Sequence, residues 1–253
     1  MCKTGKGEFK LMPKVTLMRF YLPTQIWHYG FLQRFYTRKW IINKIKIMVS
    51  PGTNVLDFGC GDSPHRNLIL TNKANYFGID VKETKFGVLF DGIKAPFQDD
   101  SFDVVTLEEV LPVAPDSSVL IKECKRILKP GGSLIVTSNF LFPMNGDKVA
   151  FQDGFDFDYY RFTEAGLRLL VRNEFREVIT EQLGGLGSHL LMPQYFYRNF
   201  LMRNKSIWVR GFSLALAPMY LIFCTLLNIL GFLTNRIDTS KIFASDVVAV
   251  AKK

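Results

Sequence analysis

Val55-Leu56-Asp57-Phe58-Gly59-Cys60-Gly61 is a short apolar run that closes on an acidic residue and then turns on two glycines one residue apart. A strand that ends this way lets its backbone approach a ligand closely, because glycine adopts the required torsions without steric cost. A dinucleotide-binding loop reads G-x-G-x-x-G, whereas the third glycine position here is Pro64 and an acidic residue precedes the first glycine. That fingerprint is therefore not met. A second run, Asn75 to Asp80, ends in a carboxylate 19 residues beyond Gly61, suited to accept both hydroxyls of a ribose. Asp91-Gly92-Ile93 follows, where Asp91 can accept from an adenine amino group while the next backbone amides read a ring nitrogen.

The flanking chain reads as alternating strands and helices. Further strands are expected at Gly87 to Phe90, Phe102 to Leu107, Ser133 to Thr137, Glu177 to Glu181 and Asp246 to Ala251. A helix from Asp116 to Leu128 should turn Val119, Leu120, Ile127 and Leu128 to the sheet and end at Pro130-Gly131-Gly132. Another, Thr163 to Asn173, opens on a Thr163 cap with Glu164 in its first turn. Such alternation predicts an α/β fold, a mostly parallel sheet covered on both faces, with ligands at the carboxyl ends of its strands.

Charge divides the chain unevenly. Residues 1–50 hold ten Lys or Arg against Glu8 alone, so the whole net charge of +9 sits there and the rest is balanced. Phe20, Tyr21, Trp27, Tyr29, Phe31, Phe35, Tyr36 and Trp40 lie in the same stretch. A basic, aromatic helical arm of this kind either meets an anionic membrane surface or packs on the following domain as a lid with its charges solvated. The expected division is an arm over 1–50 and a domain over 51–253, with an apolar insertion at about 207–236. Phe212 to Thr234 carries no charge over 23 residues, between Arg198, Arg203, Lys205 and Arg210 on one side and Arg236 and Lys241 on the other. Its length would span a bilayer, but a strand that returns to the same sheet needs both ends on one side. Pro218, Asn228 and Gly231 offer breaks, which favours a helical hairpin or in-plane pair in one leaflet; burial or a homodimer interface is the other reading.

Cys2, Cys60, Cys124 and Cys224 include no C-x-x-C pair and the three histidines are scattered, so neither a disulfide framework nor a metal site is expected. The first residues lack the pattern of a signal peptide, which predicts a cytoplasmic location, peripheral or monotopic at the membrane's cytoplasmic face.

The ordered series V-L-D-F-G-C-G, F-G-I-D, D-G-I-K-A-P-F, D-D-S-F-D-V-V, E-E-V-L and L-K-P-G-G-S-L-I-V, over roughly Val55 to Thr137, resembles the motif set of class I S-adenosylmethionine-dependent methyltransferases of the type 11 kind. The resemblance implies a doubly wound, Rossmann-like, seven-stranded sheet and S-adenosylmethionine as cofactor. Asp57, Phe58, Gly59, Cys60 and Gly61 would then surround its methionine part. Asp80 and Val81 would hold the ribose, Asp91, Gly92 and Ile93 would frame the adenine, and Leu107 and Glu108 would border the methionine end. Where such proteins often read E-V-L-E-H, this chain has Glu109-Val110-Leu111-Pro112-Val113, which removes a histidine base from that position. Phe142-Pro143-Met144-Asn145-Gly146 and Asp158-Tyr159-Tyr160-Arg161-Phe162-Thr163 are similar to a segment of membrane-associated and cell-surface-glycan methyltransferases, which would set Asp158 to Arg161 near the acceptor.

An acceptor hydroxyl would need a base within hydrogen-bond reach, and Glu108, Glu109, Asp158 and Tyr160 are the candidates, Glu109 being the one expected to cap a helix or stay solvated. The expected acceptor is a lipid-linked, glycolipid or other membrane-proximal small molecule. The alternatives are a soluble small-molecule or protein methyltransferase and a non-catalytic membrane-associated scaffold that keeps the cofactor site. No N-P-P-Y-like or Pro-Cys signature is present, so a nucleic-acid acceptor is not expected.

Overall fold

The computed structural model describes residues 26, 28, 30–141, 158–190 and 206–253. A seven-stranded sheet forms the middle layer, in the order β3-β2-β1-β4-β5-β7-β6. Its strands are β1 (Asn54–Phe58), β2 (Asn75–Asp80), β3 (Val88–Leu89), β4 (Phe102–Glu108), β5 (Leu128–Asn139), β6 (Glu177–Leu183) and β7 (Asp246–Lys252). The pairs among β1 to β5 are parallel, and β7 runs antiparallel to both β5 and β6. Every strand expected from the sequence is present. The structure thus has the doubly wound α/β architecture that the alternation predicts.

Neighbouring residues on each strand supply the two cores, as the period of two dictates. Val55, Val104, Ile135 and Val248 join Trp40, Ile41 and Ile45 of α1 (Phe31–Met48) and Ile69 of α2 (Arg66–Thr71) on one face. Leu56, Val105, Leu134, Val136, Val247 and Ala249 meet Leu120, Ile121, Cys124 and Ile127 of α3 (Ser117–Ile127) and Leu167 and Val171 of α4 (Glu164–Arg172) on the other. Thr163 caps α4, its side chain accepting from the Gly166 amide, as expected. Val119, expected on the sheet side of α3, is exposed instead; Leu120, Ile121, Cys124 and Ile127 form the buried stripe, which follows the helical period from Leu120. The helix stops at Ile127, and Pro130-Gly131-Gly132 lies within β5, in a register shift between the pairs Phe102–Leu128 and Val104–Ser133, with Gly131 at φ +79°.

The basic segment is not a separate arm where it is described. α1 is a layer of the domain: Trp40, Ile41 and Ile45 complete a core, and the Trp40 indole donates to Glu181 at 3.2 Å. Phe20, Tyr21, Trp27 and Tyr29 lie outside the described residues.

The apolar insertion differs from expectation. Instead of a hairpin, one continuous helix, α5, runs from Ile207 to Ile237 with Pro218 inside it. Proline removes a single hydrogen bond, whereas a break among apolar side chains would strand several backbone groups without partners. Asn228 is no breaker either: its amide donates to the carbonyls of Ile26 and His28, which fastens α5 to the chain entering α1. Gly231 meets Gly187 backbone to backbone beside Leu32, and Asn235 donates to Ser188 Oγ at 2.9 Å. Gly187 and Ser188 belong to a 3-10 turn, Leu186–His189, after β6.

A Gly231→Val side chain would collide with the Gly187 carbonyl and Leu32. It should destabilise the fold by about 1 to 3 kcal/mol in urea unfolding, while Ile222→Ala on the exposed side should stay within about 0.5 kcal/mol.

Candidate active site

Two glycine turns and two carboxylates build the floor of the site. β1 delivers Asp57 to Gly61 to the carboxyl edge, where Gly59 and Gly61 have φ of +77° and +47°. The Gly59 and Cys60 amides donate to the Ile79 carbonyl at 2.8 and 3.0 Å, and the Gly61 amide donates to Asp80 Oδ2 at 2.9 Å. The 19-residue spacing read from the sequence therefore closes into a direct contact. A Cβ at Gly59 would lie 2.5 Å from Val110 Cγ2, whereas one at Gly61 would meet nothing within 4 Å. The first glycine is demanded by packing, and the second opens onto free space for a ligand beside the Asp80 carboxylate. These residues fit the ribose and methionine parts of a nucleoside cofactor. Asp80 Oδ1 also accepts from the Lys82 amide at 2.9 Å, which fixes the carboxylate.

The adenine-side residues form an exposed turn. Asp91 Oδ1 accepts from the amides of Ile93 and Lys94 at 2.9 and 3.0 Å, and these bonds hold its pKa below the usual carboxylate range. The Ile93 amide expected to read a ring nitrogen is thus turned onto Asp91. Phe90 packs edge-on against Phe58 at 5.2 Å, joining this turn to β1. Cys60 is buried, its thiol 3.6 Å from Thr84 Oγ1, and Leu107 lies wholly in the core. Asp103 sits at the opposite end of the strands, holding the Asn54 amide and Lys129 at 2.8 Å each, and belongs to the framework.

Asp57 lies beneath the loop and spends its oxygens on the protein. Tyr76 donates to Oδ2 at 2.9 Å and Thr106 to Oδ1 at 3.1 Å. Burial, reinforced by the nearby Glu108 charge, pushes its pKa up to about 6.

Beyond β4 the chain places Glu108 and Glu109 side by side in very different settings. Glu108 Oε2 lies 2.9 Å from Nε2 of His65, the residue that caps α2. A histidine therefore reaches the end of β4 from another part of the chain. Glu109, with φ +58°, has its amide bound to the Thr137 carbonyl at 3.1 Å, and its Oε2 accepts from the Asn139 amide at 2.8 Å. Its Oε1 is sealed from solvent and has no hydrogen-bond partner among the described residues. The expected capping or solvated role is thus replaced by a buried one. Burial, and then the charge of Asp246, drive the pKa of Glu109 well above the ordinary carboxylate range.

Asp246 is the neighbour that the sequence reading missed. It accepts from Gln33 Nε2 at 3.0 Å, Thr37 Oγ1 at 3.0 Å and Ser245 Oγ at 2.9 Å. Gln33 Nε2 also donates to Asn139 Oδ1 at 2.5 Å. Burial raises the Asp246 pKa to about 6. The only sequence signals for this cluster were an aspartate opening an otherwise apolar strand and two polar residues four apart on the inner face of α1.

Asp158 to Arg161 do lie at the carboxyl edge. The amides of Tyr159 and Tyr160 donate to the Pro112 carbonyl just past β4, at 2.7 and 3.3 Å. Tyr160 spends its phenol on the Pro115 carbonyl at 2.9 Å, and Arg161 pairs with Asp158, so both serve the loop that carries them. Phe142 to Gly146 lie outside the described residues.

The strand order, the glycine turn and Asp80 define a doubly wound domain built to bind a nucleoside cofactor. Residues 56–136 match the family model described as "Methyltransferase domain". The chain is 28% identical over 194 residues to a ubiquinone biosynthesis O-methyltransferase of Dechloromonas aromatica, covering 65% of this chain and 82% of that one. It is 36% identical over 102 residues to the 2-methyl-6-phytyl-1,4-hydroquinone methyltransferase of Synechocystis, covering 34% of this chain and 32% of the relative. Among solved structures it resembles Haemonchus contortus phosphoethanolamine N-methyltransferase 2 in complex with S-adenosylhomocysteine, with a TM-score of 0.52 at 15% identity, over 85% of this chain and 52% of that one. Other curated relatives are matched over 40% to 50% of their own length. Residues 56–136 are thus a methyltransferase domain, and S-adenosylmethionine is its cofactor.

The raised carboxyls fix the sign of a pH effect. Asp57 ionises near 4 in the unfolded chain and near 6 in the fold, so between those values the unfolded chain binds fewer protons. Stability should therefore fall as pH rises from about 4 to about 6, by on the order of 3 kcal/mol from this group. Urea unfolding across that range should show a shallower slope for Asp57→Asn, whose side chain has nothing to ionise.

Proposed function

We propose that the protein transfers a methyl group from S-adenosylmethionine to a hydroxyl or amino group of a lipid-like small molecule at the cytoplasmic face of a membrane. When bound, the cofactor supplies a sulfonium-activated methyl group. The work left to the chain is to hold the two reactants in line, exclude water and move one proton. Gly59, Gly61 and Asp80 hold the cofactor side, and His65 fixes the rotamer of Glu108 beside it.

Glu109 Oε1 carries the proposal. It is a buried carboxylate oxygen with no hydrogen-bond partner among the described residues, at the carboxyl edge between the cofactor turn and α1. A ligand O–H or N–H is the partner it lacks. Transfer of that proton to Oε1 would relieve an oxygen already costly to keep charged beside Asp246. Its raised pKa makes the carboxylate a stronger base than an exposed one. The exposed apolar flank of α5, close to α1, supports an acceptor of low polarity, as do the quinone-type acceptors in the relatives' names.

Calorimetric titration with S-adenosylhomocysteine tests the cofactor half. Binding should be micromolar in the native protein and weaker by about 1.5 to 3 kcal/mol in Asp80→Ala. Turnover with labelled cofactor and a total lipid extract tests the other half. Glu109→Gln should keep the S-adenosylhomocysteine affinity and lose roughly 100-fold or more in turnover. Native protein that folds but does not bind S-adenosylhomocysteine would sink the enzyme reading in favour of a scaffold.

A further inference from the structure

α5 is apolar around most of its circumference, with one docked stripe. Cys224, Asn228 and Gly231 are buried against the domain, and Asn235 follows one turn later. On the other sides Phe212, Met219, Ile222, Leu226, Leu230 and Leu233 stand in the open, Ile222 at 63% and Trp208, near the helix start, at 85% exposure. Residues Ala215–Ile237 have a mean hydropathy of 2.0. Water is a poor solvent for such a helix, so something of low polarity covers it.

Charge identifies the cover. α1 and α5 together carry seven Lys or Arg and no Asp or Glu. They pack as one unit: Phe35 of α1 meets Phe232 of α5 edge-on at 6.2 Å, and Arg236 lies over the Phe232 ring at 4.8 Å. Half-buried Phe31, Phe35 and Tyr36 continue the apolar strip onto α1, with Arg34, Arg38 and Lys39 interleaved. Apolar rings edged by cations fit an anionic lipid surface, which attracts Lys and Arg while the rings enter the headgroup layer.

Geometry then fixes the orientation. The contacts of Asn228, Gly231 and Asn235 hold the second half of α5 flat against the domain, so the apolar stretch Ala215–Ile237 cannot be surrounded by lipid along its whole length. A span needs about 20 residues clear of the domain to cross the roughly 30 Å hydrocarbon core.

We propose that α5 lies in the plane of an anionic leaflet, with α1 as its basic rim, and that the protein is held on one side of the bilayer without spanning it. The inference rests on the membrane-proximal reading above and gives it a specific geometry. The test uses the full chain with vesicles of 70% phosphatidylcholine and 30% phosphatidylglycerol. Flotation should carry the native protein with the vesicles, at least tenfold less in 0.5 M salt or with neutral vesicles. Ile222→Glu with Leu226→Glu should abolish flotation while leaving S-adenosylhomocysteine binding intact, which separates failure of this inference from failure of the enzyme reading. In a Cys2→Ser background, Ser206→Cys and Ser240→Cys should both react with an impermeant maleimide added outside. Protection of Ser206→Cys until the vesicles are lysed would mean a span and overturns the proposal. Absence of flotation, or a dimer in sedimentation that hides α5 from the reagent, overturns it equally.

Discussion

Asp246 is a buried carboxylate held by donors from α1 and from its own strand, and much of the edge above the sheet depends on it. β7 opens on this residue, directly opposite Asn139 of β5. Gln33 bridges the two, and Thr37 and Ser245 complete the shell. A carboxylate taken from water is tolerated only with such partners, so α1 has to dock in one register for β7 to be laid down with Asp246 inside. The same docking brings Leu32 and Phe35 to α5. Local polar satisfaction thereby sets where the long apolar helix can lie.

The cluster has a second consequence at β4. Glu109 sits in a left-handed backbone conformation that few non-glycine residues adopt, pinned by Thr137 and Asn139. Asn139 links it to Gln33, and Asp246 repels its charge. A group that is strained, buried and electrostatically disfavoured persists when its surroundings fix it, and such groups gather at sites of chemistry. Glu108, one residue earlier, is instead paired with His65 on the cofactor side. One peptide step thus separates a carboxylate committed to a neighbour from one whose Oε1 has no hydrogen-bond partner among the described residues.

The fold was legible because it is written in local pattern. Paired apolar neighbours such as Val104-Val105 and Val247-Val248 mark strands buried on both faces, and Asp57, Gly59, Gly61 and Asp80 repeat at spacings that survive folding unchanged. The contacts around Glu109 were not legible, since they join residues separated by as many as 213 positions, as in Gln33 to Asp246. No periodicity reports that. The hairpin expected within residues 212–234 failed for a different reason. Proline, asparagine and glycine were read as breakers from their backbone preferences, but Asn228 and Gly231 are there for side-chain clamping and close approach. Residue type alone cannot separate those uses.

Sheet order divides the carboxyl edge into two halves of opposite character. β1, β2 and β3 carry the glycine turn with Asp80 and the exposed Asp91, a polar rim suited to a water-soluble nucleoside. On the other side, β5 and β7 lie under α1, and α1 packs against α5. Glu109 stands between them at the end of β4. On the proposed reading, cofactor and acceptor approach from different phases and meet at the boundary, so neither need cross the other's path. An in-plane helix serves that arrangement better than a span, because it keeps the apolar side of the edge level with the leaflet while the polar side stays in water.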